Sequence, residues 1–252
     1  MKKAKAKKLE LKELKPTQSK KSKKPKKSKL TRRQQQEATD LSSFSKIFWI
    51  VPHGPCKHQI SVYDLTDAVT PILSHSFYKT CRKYIAQSHD VPAFVARRPA
   101  IFKDYKVYSL SPSAEETFVA EWSPSRWECG QQTFTFNSPS NHCDHPIIMR
   151  RPKWNCLSED FVKDSAPYSW RYVPYSWTGW TTLYRKKYGN YVEVAKFIGT
   201  RWIWWGVGGA LLVDESKMDP LVAILTMCGV IRKERQRGHD DATGGGMVGP
   251  IM

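Results

Sequence analysis

Residues 220–231 read Pro-Leu-Val-Ala-Ile-Leu-Thr-Met-Cys-Gly-Val-Ile, and no other stretch constrains the fold as strongly. Asp219 precedes it as a good N-cap, and Pro220 takes the first helical position, where a missing N–H costs nothing. Wound as a helix, the stretch has almost no polar face. A helix that is apolar all round lies in a membrane or is wrapped by protein on every side. A membrane span needs about 20 apolar residues, so this short run belongs to a protein core. Arg232, Lys233, Arg235 and Arg237 follow at the negative end of the helix dipole, and Gly238 reads as a stop. The expected helix covers about residues 219–236.

The chain ahead of it reads as strands. It holds 10 Trp, 11 Tyr and 10 Phe, and such rings favour pleated, half-buried surfaces. Short apolar or alternating runs recur between Gly, Pro, Ser and Asn clusters. They are Lys46–Val51, Gln59–Tyr63, Tyr105–Leu110, Thr117–Trp122, Gln131–Asn137, Pro146–Met149, Tyr168–Val173, Thr181–Arg185, Tyr191–Phe197, Arg201–Trp205 and Gly209–Val213. Tight turns are signalled at Ser138-Pro139-Ser140-Asn141 and at Tyr188-Gly189-Asn190. Ser158–Lys163 reads as a short helix, with acids in its first turn, and Ser74–Gln87 as a helix or an irregular strand pair. Ten or so short strands before one buried helix describe a mainly β fold: an antiparallel barrel that encloses its own C-terminal helix. The barrel domain is expected over residues 40–237.

Low-complexity tails flank it. Residues 1–39 form a Lys-rich tail and residues 238–252 a Gly-rich one, and neither can bury enough apolar surface to offset chain entropy. The net charge is +18, but residues 1–33 hold 16 Lys/Arg against Glu10 and Glu13, leaving 18 − 14 = +4 for the rest. The basic character therefore belongs to the tail and not to the domain. Lys20, Lys21, Lys23, Lys24, Lys26, Lys27 and Lys29 have the density of a nuclear localisation signal read by an import receptor. Such a run also binds RNA or anionic membrane non-specifically, or merely solubilises. No apolar segment follows these lysines, so the N-terminus is not a secretory signal. A nuclear or cytoplasmic protein without a transmembrane helix is expected, with its six cysteines reduced.

Several chemistries are disfavoured. His142-Cys143-Asp144-His145, with Cys156 downstream and Cys129 upstream, has zinc-type ligands, but the spacing matches no finger or ribbon. No metal or other cofactor is expected. There is no Gly-x-Ser-x-Gly, and the seven histidines are scattered, so no enzyme is expected. Gly206-Val207-Gly208-Gly209 precedes a strand and not a helix, so it reads as a hairpin turn or a close backbone approach. Trp202 and Trp204 alternate onto one face, which suits barrel filling better than an exposed stacking patch. Two clusters pair cations with rings: Met149-Arg150-Arg151-Pro152-Lys153-Trp154 and Arg185-Lys186-Lys187-Tyr188. Arg150, Arg151, Lys153, Lys186 and Lys187 are the candidate contacts for phosphates or lipid headgroups.

Some local phrases resemble the tubby C-terminal-like superfamily, which includes tubby domains, phospholipid scramblases, plant LURP-one-related proteins and many uncharacterised fungal proteins. They are Phe118-Val119-Ala120-Glu121-Trp122, Thr181–Arg185, Tyr191–Phe197, Gly209–Asp214 and the apolar helix Asp219–Arg232. The resemblance implies a twelve-stranded antiparallel barrel around a central C-terminal helix. It also implies association with phosphoinositides or anionic membrane. The candidate contacts come from the local pattern of cations and rings and are not carried over from the family. The expected function is non-enzymatic binding of an anionic lipid or a partner, with nuclear targeting by the tail. The alternative is a nuclear nucleic-acid-associated protein that binds through that tail.

Overall fold

The computed structural model describes residues 44–53, 57–70, 75–100, 103–124, 131–137, 141–152, 158–172, 181–199 and 207–242. Twelve strands form one antiparallel sheet. They are β1 (Lys46–His53), β2 (Gln59–Asp64), β3 (Phe94–Arg97), β4 (Tyr105–Leu110), β5 (Glu116–Pro124), β6 (Gln132–Phe136), β7 (Ile147–Met149), β8 (Glu159–Lys163), β9 (Ala166–Tyr172), β10 (Thr181–Lys187), β11 (Asn190–Gly199) and β12 (Val207–Val213). Among the described residues two helices accompany them, α1 (His75–Gln87) and α2 (Pro220–Ala242).

The strand order is β7-β6-β5-β4-β3-β2-β1-β12-β11-β10-β9-β8. The two ends of the sheet meet through an isolated bridge between Arg150 and Asp160. Its two bonds are Arg150 N–H to Asp160 O (2.9 Å) and Asp160 N–H to Arg150 O (2.8 Å). The sheet therefore curls into a nearly closed barrel, which removes most of the exposed sheet edge. The seam lies between β7 and β8.

Alternation decides which side chains face inward. Phe48 and Ile50 of β1, Trp122 of β5, Phe134 of β6, Trp170 of β9, Leu183 of β10 and Leu211 of β12 join one buried cluster with α2. From Leu221 to Ile231 every residue of α2 is buried. Each such Val, Leu, Ile or Met contributes about 1.5–3 kcal/mol relative to exposure. The intervening residues Ile47 and Trp49 of β1 and Ala210 and Leu212 of β12 form a second cluster outside the barrel, capped by Phe77 and Cys81 of α1. Those strands are thus buried on both faces.

Asp219 caps α2 as expected: its Oδ1 accepts the Val222 N–H at 3.0 Å. Gly238 does not stop the helix, which continues to Ala242. A lone glycine costs about 1 kcal/mol relative to alanine in a helix interior, and no proline follows to enforce a break. The Gly-rich tail thus begins later than residue 238. The ambiguous segment before Gln87 is the helix α1. Ser158–Lys163 is a correction, because residues 159–163 form the strand β8. Its acid Glu159 points inward to partners distant in sequence, which hides the alternation with Phe161. The strand β3 was not anticipated; it is only four residues long.

Tyr188 and Gly189 both have positive φ, at 49° and 82°, and form the anticipated two-residue turn between β10 and β11. Asp164 and Ser165 make the same kind of turn between β8 and β9, with φ of 50° and 61°. Gly208 and Gly209 serve close backbone approach. A Cβ on Gly209 would sit 2.3 Å from the Ile198 carbonyl oxygen, and one on Gly208 2.5 Å from the Pro52 nitrogen. The anticipated strand Arg201–Trp205, the turn at residues 138–140 and the Lys-rich tail lie outside the described residues. Among the described residues, no helix is long and apolar enough to cross a membrane.

Candidate functional site

The strands beside the seam carry a surface groove. Side chains at alternate positions of β7 to β11 face outward, and they line a groove of about 760 Å³. Three cations border it: Arg150 after β7, Arg171 on β9 and Lys186 on β10. Tyr184 and Tyr191 form part of its wall. The Arg171 guanidinium lies over the Tyr191 ring at 3.9 Å and within 5.9 Å of the Tyr184 ring, a cation–π arrangement that holds it on the surface. Ser169 Oγ donates to Asp160 Oδ1 at 2.7 Å, and Arg171 Nε donates to Ser169 Oγ at 3.5 Å. Asp160 sits at the seam itself, so this chain of bonds ties β8 to β9 beneath the groove.

Exposed apolar side chains surround these cations. Ile148 is 48 % exposed, Val162 51 %, Tyr191 47 % and Tyr188, at the β10–β11 turn, 93 %. Single exposed hydrophobes are ordinary on protein surfaces. A cluster on adjacent strands with cations among its members is the mixture found where a protein meets a membrane interface.

Of the five cations expected from sequence, the structure brings two together in the groove, Arg150 and Lys186. Lys187 lies at the hairpin tip, 5.7 Å from the Tyr188 ring centroid. Arg151 does not line the groove; its Nε pairs with Glu159 Oε1 at 3.2 Å. Lys153 lies outside the described residues. Arg171 was missed, since a lone cation in Tyr168-Ser169-Trp170-Arg171-Tyr172 gives no cluster signal. Only the alternation of a strand already placed could have marked it as outward.

The barrel interior is polar at a few satisfied points. Glu159 and Lys233 are both buried and ion-paired, with Arg151 on the second carboxylate oxygen. Trp170 Nε1 donates to Thr226 Oγ1 at 3.1 Å, and that hydroxyl donates back to Val222 O at 2.8 Å. Arg232, Tyr105 and Arg98 meet at the same end of the barrel. The two guanidinium carbons lie 5.9 and 5.0 Å from the Tyr105 ring centroid. Burial lowers the Arg232 pKa and raises that of the Tyr105 phenol.

At the opposite end, where α2 begins, the loop before β7 meets the β8–β9 turn. His142 Nδ1 lies 2.9 Å from Asp219 Oδ2, and this bond raises the imidazole pKa. Cys143, His145 and Asp164 converge nearby, with ligand atoms within 4.8 Å of one another. The pairing of Cys143 and His145 with Asp164 was not anticipated, and Cys156 lies outside the described residues. Cys81, Cys143 and Cys228 are buried thiols not joined in disulfides. Burial pushes the Cys81 thiol up to about 11, which keeps it protonated and a poor nucleophile at neutral pH.

Compared with known proteins, the chain matches no family model, no curated protein and no solved structure.

Proposed function

We propose that this barrel is a non-enzymatic binding protein whose seam groove receives an anionic lipid headgroup at a membrane surface. The observation that carries this reading is the convergence of Arg150, Arg171 and Lys186 on one groove beside exposed Ile148, Val162, Tyr188 and Tyr191. The cations meet phosphate oxygens, and the apolar side chains enter the interfacial layer. The tubby-like resemblance, with its implied phosphoinositide association, supports the same reading. The lysine-rich tail adds charge-driven attraction to any polyanion and, as a localisation signal, directs the protein to the nucleus.

Co-sedimentation with liposomes tests it at physiological salt. The samples are the full chain and a variant with Lys20, Lys21, Lys23, Lys24, Lys26, Lys27 and Lys29 changed to Gln. Retention of the tail variant on one phosphoinositide, but not on vesicles of equal charge, is the expected result. Competition by the soluble inositol phosphate then separates headgroup recognition from apolar insertion.

The tail itself favours a second reading, because its 16 Lys/Arg in residues 1–33 hold most of the net charge. In that reading the protein associates with nucleic acid, and affinity falls steeply with salt. Loss of all polyanion binding in the tail variant would favour it over the groove.

A further inference from the structure

We propose that Cys143, His145 and Asp164 form a binding site for a zinc-like divalent metal ion that clasps the barrel seam. A thiolate, an imidazole and a carboxylate are the donors such an ion prefers, and three protein ligands leave a fourth position for water. The three donor atoms lie within 4.8 Å of one another. In a tetrahedral site the donors stand about 3.5 Å apart, given metal–ligand bonds of about 2.0–2.3 Å. His145 and Asp164 are both exposed and can make that adjustment, while Cys143 is buried and fixed.

Surrounding bonds suit the role. His145 Nδ1 lies 3.2 Å from the Pro146 carbonyl oxygen, and its Nε2 accepts the Asp164 N–H at 3.2 Å. The proton therefore sits on Nδ1, and the single Nε2 lone pair, which accepts the Asp164 N–H, must exchange that bond for the metal. An imidazole that donates its other N–H to a backbone carbonyl is the usual arrangement of a metal-bound histidine. Lys163 pairs with Asp164 Oδ2, which leaves Oδ1 for the ion.

The placement gives the site a purpose. Cys143 and His145 precede β7 and Asp164 follows β8, and these strands meet only at the edge of the sheet. The described bridge between them, at Arg150 and Asp160, lies at their other ends. A metal ion would bind the two edges where that bridge does not reach.

The test is a Co(II) titration of the full chain under reducing conditions, followed by Zn(II) displacement, with absorption and thermal unfolding as readouts. The expected result is one equivalent of tetrahedral Co(II) with a thiolate-to-metal charge-transfer band, and a higher Tm in its presence. Cys143→Ser removes the band. His145→Ala and Asp164→Asn, at exposed positions that tolerate change, weaken the metal by roughly 10–100-fold or more. An unfolded Cys143→Ser protein leaves these two variants to decide. No charge-transfer band in the wild type, or metal affinity unchanged in both exposed variants, overturns the proposal.

Discussion

Gln132 on β6 reaches into the barrel and donates through Nε2 to the carbonyl oxygen of Gly229 on α2, at 2.9 Å. The same side chain accepts the Trp122 indole N–H at 2.7 Å. One amide therefore satisfies two buried groups and sets the depth of the helix. Gly229 is required for that approach, since a Cβ there would lie 2.7 Å from Gln132 Oε1 and 2.6 Å from the Met149 methyl. Gln132→Leu keeps the bulk but strands the Trp122 indole N–H and removes the second donor from the Gly229 carbonyl, which keeps its helical bond. It should lower the unfolding free energy by about 1–3 kcal/mol for the indole N–H left unpaired, measured by urea denaturation. A change within experimental error would show that the amide does not seat the helix.

The buried pair Glu159–Lys233 behaves differently. Glu159→Leu leaves an ammonium without its carboxylate inside the barrel, at a cost of about 3–5 kcal/mol. Adding Lys233→Met removes the buried ammonium, so the double variant should regain part of that loss, with the Arg151 guanidinium still lacking its carboxylate. A double variant no more stable than Glu159→Leu alone would contradict the pairing.

Asp214 links acid stability to the turn that leads into α2. Burial alone would raise its pKa, but hydrogen bonds from Lys217 and Ser216 outweigh this and hold it below the ordinary value. A depressed folded-state pKa contributes stability above the unfolded value, and this is lost as pH falls through the folded value. Asp214→Asn should therefore lower Tm at pH 7 and flatten the fall in Tm below about pH 4, where unfolded carboxylates protonate. A parallel acid limb in the variant would assign the acid sensitivity elsewhere.

Groove and core cations should separate by assay. Arg171→Gln or Lys186→Gln should weaken binding to anionic vesicles by about fivefold each, near 1 kcal/mol per surface cation, with Tm little changed. Arg151→Gln should do the reverse, lowering Tm and sparing vesicle binding, because Arg151 pairs with Glu159. Equal vesicle binding by all three variants would remove the groove from the lipid contact.

The parts legible in sequence were those governed by local chemistry. Asp219 and Pro220 mark the start of α2 because a cap and a missing N–H act within one turn. Thr133-Phe134-Thr135-Phe136 shows its buried face because its alternation is unbroken. Glu159 hid its strand, since a carboxylate points inward only when Lys233, 74 positions away, is there to meet it. The groove was half legible for the same reason. Arg150 and Lys186 stand in visible basic clusters, whereas Arg171 joins them only because the strands beside the seam lie side by side.

The strand order has a consequence for how the chain is made. Neighbouring strands in the sheet are also neighbours in sequence, except at β1 and β12, where Lys46 faces Val213. Hairpins can therefore form as they are synthesised, but β1 must wait for nearly the whole domain before its second partner exists. The helix that fills the interior comes later still. Until α2 has left the ribosome, Trp122, Phe134, Trp170 and Leu183 line a shell with nothing inside it, so a chain that terminates before Pro220 exposes its core and becomes a substrate for chaperones or proteases.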